Sequence, residues 1–357
     1  MERKTYGPAG RGARSNEVSR YVEAKRAVDV DGWYADDEGL PPLQTTIAGD
    51  SARTIITRNQ SPDVGFNQSL NPFRGCEHGC IYCFARPTHA YLGLSPGLDF
   101  ETKLSAKFDA PELLAKELNS PKYVCEVLAI GTNTDPYQPI ERKLRITRRI
   151  LETLSDFNHP VSIVTKSALI VRDIDLLQDL ARRKLVGVHI SVTTLDRKLA
   201  RAMEPRAPTP SLRLKAIRAL ADAGVPVGVM AAPMIPALND NELENILEDA
   251  REAGAKSAAY ALVRLPLEIK DLFSEWLEAN VPDRAKHVLS LIRQTRDGRL
   301  NDPRFGSRFR GTGPYADLLE KRFRLAKARL GYEDRNWNYE FGLFRKKHTN
   351  DAQLTLL

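Results

Sequence analysis

The apolar positions of this chain fall into short continuous runs separated by stretches of helical spacing. Runs of strand length occur at Val124–Gly131, Val161–Lys166, Val186–Thr193, Val225–Pro233 and Ser257–Leu265. They are continuous rather than alternating, which is the pattern of strands buried on both faces. Between them, Leu144, Ile150, Leu151 and Leu154 recur at near-helical intervals, as do Ile174, Leu177 and Leu180, and Leu214, Ile217, Leu220 and Ala221. Gly224 stands where a glycine ends a helix. Asn239 or Asp240 is placed to cap a helix over 241–253. A short strand-like run within residues 51–75 leads into a loop rich in cysteine.

Together these make six βα units in a row, which predicts an α/β fold with a parallel sheet and helices outside it. Six units fit a partial (β/α)6 TIM-like barrel, and an open doubly wound sheet has the same local pattern. Both gather function at the C-terminal ends of the strands. Residues 1–52 are rich in charge, Gly and Pro and read as largely disordered. The barrel is expected over 53–280, a basic helical extension over 281–345 and a flexible tail over 346–357.

Four cysteines are present, and three of them sit in the run Cys76-Glu-His-Gly-Cys80-Ile-Tyr-Cys83. A disulfide scaffold would spread its cysteines along the chain, whereas clustered thiols in a reducing compartment point to a metal site. Thiolates are the soft ligands of iron–sulfur clusters, and three of them leave one iron of a cubane open. The competing reading is zinc held by three Cys and a His, with His78 inside the loop and His89 nearby. Cys125 begins a predicted strand, roughly 20 Å from its C-terminal end at about 3.3 Å per residue, so it is expected at the opposite pole as a core thiol.

No window is apolar for about 18 residues, so no membrane-spanning helix is expected. The basic N-terminus lacks the apolar core of a secretory signal, which leaves a cytoplasmic location as the expectation. The formal charge of +7 is uneven: residues 284–348 carry 17 Lys/Arg against 7 Asp/Glu, and the remainder 36 against 39. That segment interleaves Arg304, Phe305, Arg308, Phe309 and Arg310. The composition suits a phosphate backbone and stacked bases. It suits equally a helix pair that closes the open side of a six-unit barrel.

The C-x3-C-x2-C loop with Tyr82 before its last cysteine resembles the radical S-adenosylmethionine (SAM) superfamily. The wider stretch SLNPFRGCEHGCIYCFARPTHAYLGLSPGLDFETK, with TNTDPYQPIE further on, is similar to the bacterial subgroup related to spore photoproduct lyase. The resemblance implies a partial barrel with one [4Fe–4S] cluster on Cys76, Cys80 and Cys83. It also implies S-adenosyl-L-methionine as the second cofactor, cleaved reductively to a 5′-deoxyadenosyl radical that takes hydrogen from a substrate. An electron donor such as flavodoxin or ferredoxin is implied as well, and nucleic acid is the substrate suggested by analogy. Non-catalytic binding of nucleic acid by a zinc- or cluster-stabilised module is the rival reading.

Strand ends then acquire roles from the resemblance. Tyr82 is expected near the adenine. Thr132, Asn133, Thr134 and Asp135 occupy the place of the family's Gly-Gly-Glu motif, whose residues are absent here. Lys166 is expected to pair with the methionine carboxylate and Ser191 to meet the ribose. Arg206 would reach cofactor or substrate, and Ala231 begins a small-residue stretch that admits an adenine. Tyr137 and Arg264 lie near strand ends. The cysteine that serves spore photoproduct lyase as hydrogen donor near the end of its second strand has no counterpart in Ile130-Gly131-Thr132-Asn133.

Overall fold

In the computed structural model, which describes residues 10–21, 43–334 and 337–347, the continuous apolar runs lie side by side as parallel strands. These are β1 (Gln68–Leu70), β2 (Leu128–Ile130), β3 (Val161–Thr165), β4 (Val186–Ser191), β5 (Val227–Met234) and β6 (Ser257–Leu262). Each strand pairs with its predecessor in the chain, from β1 through β6. A doubly wound sheet reverses strand order at a switch point. No reversal occurs here, so the topology is that of the partial barrel.

Burial explains the strands. Every residue of β4, at the centre of the sheet, is buried. Helices α1 (Ala110–Asn119), α2 (Ile146–Asp156), α3 (Ile174–Arg182), α4 (Pro210–Asp222) and α5 (Leu243–Glu252) connect or follow the strands. In α2 the residues Ile150, Leu151 and Leu154 are fully buried in the main core. Each such side chain contributes roughly 1.5–3 kcal/mol. Gly224 ends α4 as expected: its φ is +76°, its N–H donates to Ala221, and the Val225 N–H donates to Leu220. That pair of bonds is a Schellman motif, which only a left-handed residue permits without strain.

Two local expectations change. The run Val124–Gly131 yields only Leu128–Ile130 as strand, because its partner β1 is three residues long and pairs from Gln68↔Leu128. Asn239 does not cap α5. Its buried amide donates to the Thr193 and Pro233 carbonyls at 2.6 and 3.0 Å and accepts from the Ile235 N–H at 2.6 Å. A buried amide satisfies itself where partners are richest, and here they tie the end of β5 to the loop after β4.

Part of the segment expected to be disordered is built into the fold. Thr46–Gly49 pairs with Lys103–Ala106 in a small second sheet. Residues 12 and 13 reach the cysteine loop, as described below. Residues 1–9 and 22–42 lie outside the described residues, as does the tail beyond 347. Of the expected tail over 346–357, the two described residues are anchored: Lys346 donates to the Ser120 carbonyl at 2.7 Å and Lys347 pairs with Asp156 at 2.5 Å.

The extension contributes α6 (Ile269–Asn280), α7 (Pro282–Gln294) and α8 (Pro314–Arg329). The segment joining α7 and α8, rather than the helices, bridges the open side of the barrel. The Leu262 N–H on β6 donates to the Phe309 carbonyl at 2.8 Å. Arg308 pairs with Asp63, ahead of β1, at 2.5 Å, and the Gly306 N–H donates to the same carboxylate at 2.7 Å. Buried Arg296 fastens this segment to β6 through the Leu262, Val263, Ser307 and Arg308 carbonyls. At the opposite pole, residues 337–347 pack under the strands. Phe344 meets Tyr123 and His159, and Trp337 fills the space beside Gly187.

Candidate active site

Cys76, Cys80 and Cys83 line one cavity of about 220 Å³ together with the C-terminal ends of β2 to β6. All three are free thiols, and Cys76 and Cys80 are buried. Cys125 is absent from this lining and packs beside the main core. A cavity bounded both by the loop after β1 and by β6 requires the sheet to curl around it.

The cysteine loop is held from beneath and from both sides. The Cys76 N–H donates to the Phe100 carbonyl at 2.9 Å and the Ile81 N–H to Met203 at 3.0 Å. Gln138 bridges the Glu77 N–H and the Gly75 carbonyl at 2.8 and 3.1 Å. Arg86, fully buried, donates to the Gly79, Cys80, Pro96 and Gly97 carbonyls and pairs with buried Glu101. Glu101 also accepts the Gly12 and Ala13 N–H groups at 2.9 and 2.8 Å. Gly75 and Gly79 both have left-handed φ, and a Cβ at either would strike the protein beneath: Leu104 and Phe100 at Gly75, Glu101 at Gly79. These glycines press the loop onto its support.

Seven of the residues given cofactor roles in the sequence line the same cavity: Tyr82, Thr132, Asn133, Thr134, Asp135, Lys166 and Ser191. Two do not. Ala231 is wholly buried in the core, because neighbouring Met230 and Ala232 take the cavity-facing positions of β5. Arg206 pairs with Glu77 at 3.0 Å and lines a separate cavity with Tyr137, Arg142 and Arg172. Arg264 does line the cysteine cavity; Tyr137 does not.

Asp135 is the hub of this wall. Its oxygens accept from the Thr165 hydroxyl at 2.6 Å, the Tyr137 N–H at 2.9 Å and the Lys166 N–H at 2.8 Å, and His78 Nδ1 lies at 3.4 Å. Burial alone would raise its pKa, but His78 and these donors hold it at about 2. Its acceptor capacity is largely spent inside the protein. Thr134 is likewise engaged, donating to the Phe73 carbonyl at 2.9 Å.

Sequence reasoning missed the group that positions Tyr82. The Tyr82 hydroxyl bonds Glu204, which accepts from Thr193 at 2.7 Å and pairs with buried Arg213. Glu204 stands in the Met203–Arg206 turn, but its partner nine residues on is not readable from spacing. The Lys166 ammonium lies 5.7 Å from the Tyr82 ring centroid.

The donor set fits a soft metal centre. Burial pushes the Cys76 and Cys80 thiols up, so each stays protonated until a cation replaces the proton. Among the described residues, no three His, Cys, Asp or Glu side chains gather as ligands of a single ion. A cubane makes a different demand, since each thiolate binds its own iron.

A model of the Radical SAM superfamily matches residues 70–250. An uncharacterized protein of Mycobacterium tuberculosis is 35% identical over 289 residues, covering 76% of this chain and 85% of the relative. An uncharacterized protein of Methanocaldococcus jannaschii is 26% identical over 225 residues, covering 63% and 80%. Among solved structures, a spore photoproduct lyase variant with bound AdoMet and dinucleoside spore photoproduct shares the fold, with a TM-score of 0.57 at 16% identity over 80% of each chain. With residues 70–250, which hold the cysteine loop and most of the partial barrel, matched in this way, the chain belongs to the radical SAM superfamily.

Proposed function

We propose that this chain is a radical SAM enzyme that acts on nucleic acid in the cytoplasm. The observation that carries the reading is the opening of three free thiols, Cys76, Cys80 and Cys83, onto the one cavity shared by the strand ends. Those thiols would hold a [4Fe–4S] cluster. Such a cluster, reduced by a donor such as flavodoxin or ferredoxin, would supply one-electron chemistry for reductive cleavage of S-adenosylmethionine bound beside it.

The chain's own work is binding, orientation and exclusion of water. Lys166 offers an ammonium to the cofactor carboxylate, and Ser191 a hydroxyl to its ribose. Tyr82, pinned by Glu204, offers a flat face of fixed orientation to the adenine. Thr132 and Asn133 offer polar groups to the amino end. Asp135 acts through others, fixing Lys166 and His78 in place. The segment around Phe309 covers the open side of the barrel and limits entry of water.

The test is anaerobic purification followed by iron and sulfide analysis and an assay for 5′-deoxyadenosine under dithionite. Iron and sulfide in near-equal amounts, with release of 5′-deoxyadenosine, support the reading. Zinc without sulfide leaves a structural metal and removes the radical chemistry.

A further inference from the structure

Beside Cys83 the cavity wall runs outward as an alternating stack of rings and guanidinium groups. Arg264 lies 4.6 Å from the Phe84 ring centroid and 5.0 Å from that of Phe309. Arg308 lies 4.8 Å from Phe309 and 4.9 Å from Phe305. The order is therefore Phe84, Arg264, Phe309, Arg308, Phe305, drawn from three distant parts of the chain. The first three line the cavity with the cysteines. The two end rings are open to solvent, Phe84 by 41% and Phe305 by 61%.

The charges of the stack are not equally answered. Arg308 pairs with Asp63. Arg264 makes no hydrogen bond or ion pair among the described residues; it lies against its two rings, and the Asp63 carboxylate acts on it only from beyond contact distance. A guanidinium wedged between phenyl rings beside a second cation has lost much of its hydration, and an anion entering the cavity would restore that loss. The rings at either end ask for something flat. Unpaired nucleobases supply flat faces and their backbone supplies the anion. A duplex keeps its bases stacked on each other, and an acidic peptide brings carboxylates without faces.

We propose that this ladder is a stacking platform for single-stranded nucleic acid. Unpaired bases stack on Phe305 and Phe84, a backbone phosphate pairs with Arg264, and one nucleotide is presented to the cavity. The inference rests on the reading of that cavity as the site of chemistry.

The experiment is fluorescence anisotropy of anaerobically purified protein with a short labelled oligodeoxynucleotide, single-stranded and as duplex, with polyglutamate as competitor. The single strand should bind tighter than the duplex. Phe305→Ala and Arg264→Gln should each weaken it by about tenfold, the loss expected for one stacked base or one charged contact. Arg264→Gln should also flatten the dependence on salt, and Phe305→Ala should not. Equal affinity for single strand and duplex, no effect of Phe305→Ala, or displacement by polyglutamate as readily as by unlabelled oligonucleotide overturns the platform. The cluster signal of the same preparation separates the two claims. A signal that responds to S-adenosylmethionine without strand selectivity leaves the enzyme reading standing and the platform refuted. Strand selectivity lost on Phe305→Ala, in protein without a cluster, supports the platform and refutes the enzyme reading.

Discussion

Arg86 and Glu101 form an ion pair at 2.5 Å with both side chains fully buried beneath the cysteine loop. Arg86 fixes the loop through the Gly79 and Cys80 carbonyls, and Glu101 fixes residues 12 and 13 of the N-terminal segment. Removing one partner of such a pair leaves the other charge buried and unanswered.

Glu101→Gln is therefore expected to cost about 3–5 kcal/mol. Urea unfolding measures this. A loss below about 1 kcal/mol, the scale of a surface pair, would show that the pair does not support the loop.

Gly12→Ala tests the contact between the N-terminal segment and the loop. A Cβ at Gly12 would lie 1.7 Å from the Gly79 carbonyl oxygen, a backbone atom that cannot step aside. Hydrogen exchange at the Gly12 and Ala13 amides should speed up in a Gly12→Ser or Gly12→Ala variant while exchange in β4 stays slow. Unchanged protection in both places would contradict the contact.

Acid dependence follows from Asp135. Its folded pKa, about 2, is below the ordinary 3.8, so its stabilisation is complete above pH about 4 and is lost as pH falls from there through 2. The shift corresponds to about 2 kcal/mol just above that acid range. In urea unfolding of the metal-free protein, the stability gap between wild type and Asp135→Asn should narrow over that acid range. A gap independent of pH would mean that the carboxylate charge plays no part.

The cysteines make a direct comparison. Cys76→Ala, Cys80→Ala and Cys83→Ala should each strip most of the iron and sulfide. Cys125→Ala should leave both unchanged, because that thiol lies off the cavity, half-buried, with its pKa pushed up to about 11 by burial.

The barrel strands were legible because strands covered on both faces are mostly apolar, as in β4, which is buried throughout with only His189 and Ser191 polar. Their edges were less so: Cys125 was expected within a strand, and the observed strand begins only at Leu128 because its partner is short, a fact about pairing that one segment does not carry. The cavity residues were found by placing polar residues after strands, and Lys166, Ser191 and Asp135 all line it. Ala231 turns into the core while Met230 and Ala232, its neighbours on β5, line the cavity, an alternation that a run of small residues does not disclose. The supports were hidden. Arg86 with Glu101, and Glu204 with Arg213, are charged residues that composition assigns to the surface. Only the fold shows that each was buried against its partner.

The central claim is an open iron on the Cys76–Cys80–Cys83 loop. Electron paramagnetic resonance of anaerobically purified, dithionite-reduced protein tests it most directly, recorded with and without S-adenosylmethionine. A reduced [4Fe–4S] signal that changes when the cofactor is added is the predicted result. A signal indifferent to the cofactor, or no cluster signal in protein that contains zinc, would contradict it.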